Sequence, residues 1–412
     1  MGNRPLEGIR VVEMATFIAA PCTARFLADL GAEVIKVEPP MGDPLRYTAV
    51  NEGRPLDQKE NTSYDLENAG KTCISLNTKS EEGREALEKL LATADVFICN
   101  WRQSPLKRAG LDWETLHEKY PKLVYGYVSG YGEKGPDKDL PGFDFTAFYA
   151  RGGILGPLRD KNSLPMLTVQ GFGDHQVAMN LAAGVLAALF KAKMTGEGDH
   201  VVVSLFHSAI WDISLMLQAS QYGADSTQYP MERWKLGNPL VLCYETADGQ
   251  WLQIAMPQYD RHYPILMNAM GYPELADDAR YYPQKNLIPN REEFSAWITA
   301  EFKKKTCDEW CKLLDANDLP YAIAQEWDSL LEDKQAWASD CFYEMSYSNG
   351  NKRTLVRPPV LFDQMGLPPY ERGPYLGEQT KDILGELGYS AEAIDELIKS
   401  GAAIDMDSAL RD

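Results

Sequence analysis

The first 130 residues alternate short β-rich runs with helical stretches, and few folds accept that rhythm. The runs "GIRVVEM", "AEVIKVE", "TCISLN", "DVFICNW" and "LVYGYVSGYG" are rich in β-branched and aromatic residues. Between them lie "APCTARFLADLG", "SEEGREALEKLLATA" and "DWETLHEKY", whose apolar residues recur at helical spacing. Ser80 stands as an N-cap before acidic residues, and Gly31 as the glycine that ends a helix. Strands separated by helices imply βαβ units and a mostly parallel sheet. The expected fold class is α/β, with a Rossmann-like large domain. Ligands of such sheets bind beyond the carboxyl ends of the strands. The loops to inspect are those after Met14, Glu38, Leu76, Asn100 and Gly130.

Beyond Gly130 the pattern changes. Residues 174–194 read as a helix that is apolar nearly all round and is expected to be buried. Its longest apolar run, "LAAGVLAALF", is too short to cross a bilayer. "VVVSLF" reads as a strand and "SAIWDISLMLQASQY" as a helix. Residues 223–239 turn polar, which marks the crossing into a smaller α+β domain. There "LVLCYETADGQWLQIAM" reads as a hairpin turning at Asp248 and Gly249. The division expected is a large domain over 1–222, a small domain over 223–331 and a C-terminal segment over 332–412.

The net charge of -19 argues against nucleic acid or an anionic membrane as partner, since both call for a cationic surface. Seven cysteines without a repeating spacing fit a reducing, cytoplasmic compartment. The opening "MGNRPLEGIRVVEM" has no basic segment followed by a long apolar run, so no export signal is expected. No metal set is read. Cys307 and Cys311 lie one helical turn apart without a second pair, and His117, His175, His200, His207 and His262 do not cluster.

The first βα loop, "EMATFIAAPCT", lacks the glycines that a dinucleotide would need, which disfavours hydride transfer with NAD. Its Phe17, Ile18 and Ala19 could line an acyl group or simply fill the core. Basic residues recur near strand ends, at Arg46, Lys71, Lys79, Arg102, Lys107 and Arg108. Converging on one rim of a sheet, they would suit a phosphorylated ligand. "QGFGDHQVAMN" then places Asp174 at a helix start. Most such aspartates only cap. Here Gly171 and Gly173 would leave room for a substrate, and free N–H groups at the helix end could hold an oxyanion.

The segments "LADLGAEVIKVEPPMGDPLR", "LNTKSEEG", "ADVFICNWRQSPLKRAGLDWETL", "GYGEKGPDKDLPGFD", "GFGDH" and "GPYLGEQTKDILGELG" together resemble the class III CoA-transferases, in order along nearly the whole chain. "GDPLRYTA", "EGRPL" and "ENTSYDLENA" resemble the branch that serves amino-acid fermentation. The resemblance implies that Asp174 is the catalytic aspartate. It also implies CoA contacts at Phe17, Ala19, Leu76, Lys79, Asn100, Trp101 and Arg108. Ile18 replaces a glutamine that in some members holds small polar acids, and Pro39 replaces an arginine near the adenine. Ile18 and Tyr47 are then expected at the acid. The implied substrates are an acyl-CoA such as cinnamoyl-CoA and a 2-hydroxy acid such as (R)-phenyllactate, or alternatively 2-hydroxyisocaproate. CoA enters as substrate, with no tightly bound cofactor. A 2-hydroxyacyl-CoA dehydratase is the implied downstream partner. The resemblance further implies an interlocked-ring homodimer whose C-terminal segment returns to the large domain. Related racemases pair the aspartate with a histidine, where this chain has Phe143 between Gly142 and Asp144. Two-base proton exchange would lack one base, so racemisation is the second reading.

Overall fold

Six β-rich runs become strands β1 (Arg10–Met14), β2 (Glu33–Glu38), β3 (Thr72–Leu76), β4 (Val96–Cys99), β5 (Val124–Ser129) and β6 (His200–Ser204). The structure is a computed structural model and describes residues 4–223, 229–230, 232–368 and 370–409. The strands lie parallel in the order β3-β2-β1-β4-β5-β6. This is the doubly wound arrangement expected of a Rossmann-like sheet, and its order reverses between β1 and β4. A short strand near the C-terminus, Ala403–Ile404, pairs antiparallel with β3 and gives the sheet a seventh strand.

Seven helices place the residues discussed below, namely α1 (Ala19–Asp29), α2 (Thr62–Asn68), α3 (Glu81–Leu91), α4 (Gln103–Ala109), α5 (Trp113–Lys119), α6 (Phe172–Thr195) and α7 (Leu205–Asp212). Successive strand residues point to opposite faces, so Val11 and Val12 belong to different cores. One core joins Ala24 and Leu27 of α1 to Val177, Leu181 and Val185 of α6. The other joins Leu87 of α3 and Leu116 of α5 to Ile383 and Leu397 near the C-terminus. Ser80 caps α3 by accepting the Gly83 N–H at 3.0 Å. Gly31, just past α1, takes a φ of 99° that a side chain would resist.

Two expectations about α6 need correction. The helix is 24 residues long and apolar enough, by length and composition alone, to cross a membrane. Yet it is not buried all round. Val177, Leu181, Ala182, Val185 and Leu189 are buried, while Phe190 is 72% exposed and Met194 73%. A hydrophobic run cannot by itself report which of its faces meets this chain's own core.

Contact density divides the chain into two units. The sheet belongs to the unit made of Met1–Leu155, Leu167–Leu217 and Lys334–Asp412. The other, Gly156–Met166 with Gln218–Asp333, holds a three-stranded antiparallel sheet of Cys243–Glu245, Trp251–Ile254 and Tyr321–Ile323. Gly249 turns its hairpin at a φ of 77°. Tyr263, Phe294 and Trp310 fill its core. Of the polar stretch read as a domain crossing, residues 224–228 and 231 lie outside the described residues.

Candidate active site

The loops after β1, β4 and β5 surround a cavity of about 250 Å³ at the point where the strand order reverses. Phe17, Ile18 and Ala19 line it from the first loop and Asn100 and Arg102 from the second, and Asp174 reaches it from α6. Asn100 staples two of these loops. Its Oδ1 accepts the Thr16 N–H at 3.1 Å and its Nδ2 donates to the Thr16 carbonyl at 2.8 Å. The start of α1 has no side-chain cap. The N–H groups of Ile18 and Ala19 therefore lack acceptors within the helix, and both residues line the cavity.

Asp174 is not an N-cap. Helix α6 starts at Phe172, and Gly171 occupies the cap position with a φ of 82°. Two of the free N–H groups expected at this end are already taken. The Asp144 carboxylate accepts the Gly171 N–H at 2.9 Å and the Gly173 N–H at 3.2 Å. Nor does Gly173 leave room for substrate. A Cβ there would lie 2.3 Å from Cγ of Phe148 and 2.4 Å from Oδ1 of Asp144. The glycine lets a π-helical turn at Asp144–Ala150 pack directly against the start of α6. Only the structure reveals Asp144 as part of the site, because 30 residues separate it from Asp174.

The electrostatics of this corner are unusual. Burial pushes the Asp174 carboxyl up to about 7, aided by the charges of Asp144 and Glu67 and opposed by His175. Burial raises Asp144 to about 6 against its two backbone hydrogen bonds. His175 turns away from the carboxylate it follows in sequence and meets buried Glu67 at 2.9 Å, Nε2 to Oε1. Burial opposes its charge, but the Glu67 contact and the charges of Asp174 and Asp144 together outweigh burial and raise the imidazole. Cys22 of α1, Glu67 of α2 and His175 of α6 bring metal-ligating atoms within 4.8 Å of one another. Burial, aided by the charge of Glu67, holds the Cys22 thiol well above its usual range.

The remaining sequence candidates divide. Phe17, Ile18, Ala19, Asn100 and Asp174 come together at the cavity, whereas Leu76, Lys79, Trp101, Arg108 and Tyr47 are not in its lining. Leu76 is buried in the core and pairs with Ala403. Trp101 packs against the core below α4. Lys79 is exposed, and exposed Arg108 donates to the Ser104 hydroxyl at 2.7 Å. The Tyr47 hydroxyl donates to the Met41 carbonyl at 2.9 Å. The basic rim is smaller than expected. Arg46 is buried against Glu38 and Lys71 against Glu13, both as ion pairs. Arg102 reaches the cavity instead, joined by Lys138, which the sequence did not single out. Phe143 also borders it and meets Phe17 edge to face, with ring centroids 6.3 Å apart.

A Rossmann-like sheet with a cavity at its switch point, lined by Arg102 and Lys138 and by the carboxylates of Asp144 and Asp174, is the arrangement of an α/β enzyme. Residues 6–380 match the model for CoA-transferase family III, and the chain belongs to that family. It is 52% identical over 394 residues to the cinnamoyl-CoA:phenyllactate CoA-transferase of Clostridium sporogenes, covering 95% of this chain and 96% of the relative. It is 41% identical to the (R)-2-hydroxy-4-methylpentanoate CoA-transferase of Clostridioides difficile, covering 94% of this chain and 97% of that one. Among solved structures it is similar to a CaiB/BaiF family protein from Brucella suis, with a TM-score of 0.79 and 27% identity over 94% of this chain and 100% of the other. The resemblance read from sequence is thereby borne out at the level of family and enzyme class.

Proposed function

We propose that this CoA-transferase moves CoA from an acyl-CoA such as cinnamoyl-CoA to a 2-hydroxy acid such as (R)-phenyllactate, with Asp174 as the group acylated. The observation that carries the reading is that Asp174 lines the switch-point cavity together with the uncapped start of α1. The named relatives support the acid class. A carboxylate oxygen of Asp174 attacks the thioester carbonyl, the C–S bond breaks, and CoA leaves as thiolate. The thiolate attacks the aspartyl carbonyl of the mixed anhydride, releases the donor acid and forms an aspartyl-CoA thioester. The acceptor carboxylate attacks that thioester and frees the thiolate again, which attacks the acceptor's acyl carbonyl and regenerates Asp174. One difficult exchange becomes several feasible steps. The N–H groups of Ile18 and Ala19 are the donors suited to each developing oxyanion. Arg102 and Lys138 are the cations suited to the CoA phosphates. Phe17, Ala19 and Asn100 position the coenzyme. Leu76, Lys79, Trp101, Arg108 and Tyr47 would have to contribute beyond this cavity.

Ile18, Phe17 and Phe143 make an apolar surround that favours an aromatic acid over a small polar one. A panel of acids, each assayed as acceptor with one acyl-CoA donor, tests this. Phenyllactate is expected to exceed oxalate or formate in kcat/KM by at least about a hundredfold, the scale of an unmatched polar group in an apolar pocket. Equal turnover of oxalate would overturn the substrate class. 2-Hydroxy-4-methylpentanoate as best acceptor would select the alternative reading. The 2-hydroxyacyl-CoA product is the substrate type of a dehydratase, the downstream partner this reading implies.

A further inference from the structure

Phe17 stands in the left-handed region with a φ of 64°. Three other non-glycine residues among those described have positive φ, Asn162, Asp318 and Asp340, and their short polar side chains tolerate it. A bulky aromatic does not, so surrounding structure must impose the bend. The Phe17 N–H donates to Oδ1 of Asp43 at 3.1 Å. That carboxylate is itself fixed from several sides. Its Oδ1 also accepts the Leu45 N–H at 2.9 Å, and the Asp43 N–H donates to Oε2 of Glu38 at 2.7 Å. Its Oδ2 lies 3.0 Å from Nζ of Lys36, an ion-pair contact. Lys36 donates to Oε1 of Glu13 at 2.7 Å, and Lys71 to Oε2 of Glu13 at 2.6 Å. All four side chains of this alternating chain of charges are fully buried. Two lysines and two carboxylates sum to zero formal charge, which offsets part of the cost of burying them.

We propose that Asp43 is a positioning residue for the transfer site, acting through the Phe17 N–H to hold the bend that sets Phe17, Ile18 and Ala19 on the wall of the Asp174 cavity. The inference rests on the reading of that cavity as the transfer site. Without an acceptor at Asp43, Phe17 relaxes toward ordinary φ and carries the start of the loop with it. The donors of Ile18 and Ala19 then leave their alignment.

A double-mutant cycle of Asp43→Ala and Phe17→Gly tests this, because glycine takes positive φ without steric cost. With Phe17 present, Asp43→Ala is expected to lower kcat/KM about a hundredfold, the scale of a displacement near 1 Å at a reacting centre. In the Phe17→Gly background the same change is expected to cost about threefold or less. Equal losses in both backgrounds, or no loss in either, overturn the proposal. Should Asp43→Ala fail to fold, the cycle is run with Asp43→Asn, which keeps Oδ1 as acceptor but gives up the charge facing Lys36. Activity within about fivefold of the parent is then expected, since a neutral acceptor still makes the bond. A loss equal to that of an unfolded or inactive chain would mean that Asp43 acts through Lys36 alone, and would overturn the role assigned to Phe17. CoA attachment to Asp174 is read by mass in each protein. Its absence from the parent chain refutes the site itself. Its presence there with an unchanged rate in Asp43→Ala refutes only the positioning role.

Discussion

At the residue scale the site is a carboxylate kept in tension with its neighbours. Asp174 has its pKa raised by burial and by the charges of Asp144 and Glu67, while His175 pulls the other way. In the proposed mechanism the ionised form of Asp174 is the nucleophile, so activity is expected to fall as pH drops through about 7 in the free enzyme. Replacing Asp144 with Asn removes a like charge and is expected to move that inflection down. Replacing His175 with Asn removes the opposing charge and is expected to move it up. The measurement is kcat/KM against pH for the three proteins, and shifts in one common direction would contradict the assignment. Stability carries the opposite sign. A carboxyl whose folded pKa lies above its unfolded value loses stability as pH rises between the two, and the loss is complete above the folded value. Asp174→Asn is therefore expected to raise Tm relative to the parent above pH 7 and to lose that advantage near pH 4.

At the element scale, the start of α6 is built by exclusion. Gly173 leaves no space for a Cβ beside Phe148 and Asp144. Gly173→Ala is expected to destabilise the chain by about 1–3 kcal/mol, the usual cost of overpacking, and denaturant unfolding would measure it. A neutral outcome would mean that the π-helical turn at Asp144–Ala150 shifts freely. These elements also show what the sequence could and could not convey. Strand and helix order was readable because periodicity and caps are local signals, as with Ser80 at α3 and Gly31 after α1. The switch-point cavity followed from that order. Asp144 was not readable as the acceptor at the start of α6, because a long-range contact leaves no mark on spacing. Arg46 and Lys71 looked like rim cations for the same reason. Their partners Glu38 and Glu13 sit on β2 and β1, and only the folded sheet brings them together. Asp174 itself was identified by resemblance, since its residue type at a helix start is ordinary.

At the scale of the whole molecule, the unit that holds the parallel sheet leaves an apolar surface uncovered. Phe190 and Met194 of α6, Trp211 of α7 and Leu215 just beyond it are all more than two-thirds exposed. Large apolar side chains left exposed on neighbouring helices are candidates for burial in an interface, in keeping with the homodimer that the resemblance implies. Light scattering on the eluting protein is expected to give twice the chain mass of 46.2 kDa. Trp211→Glu is expected to shift the population toward monomer, and an unchanged monomeric parent would contradict the dimer.

In the proposed reaction an Asp174 oxygen is acylated first, and the aspartyl carbonyl carbon then carries the CoA sulfur. The direct measurement is mass spectrometry of the peptide containing Asp174 after incubation with acyl-CoA and no acceptor acid, with and without hydroxylamine. A CoA adduct on that peptide is expected, with conversion to the hydroxamate by hydroxylamine and loss of activity, and neither in Asp174→Asn. An unmodified peptide in an enzyme that keeps full activity through hydroxylamine treatment would contradict it.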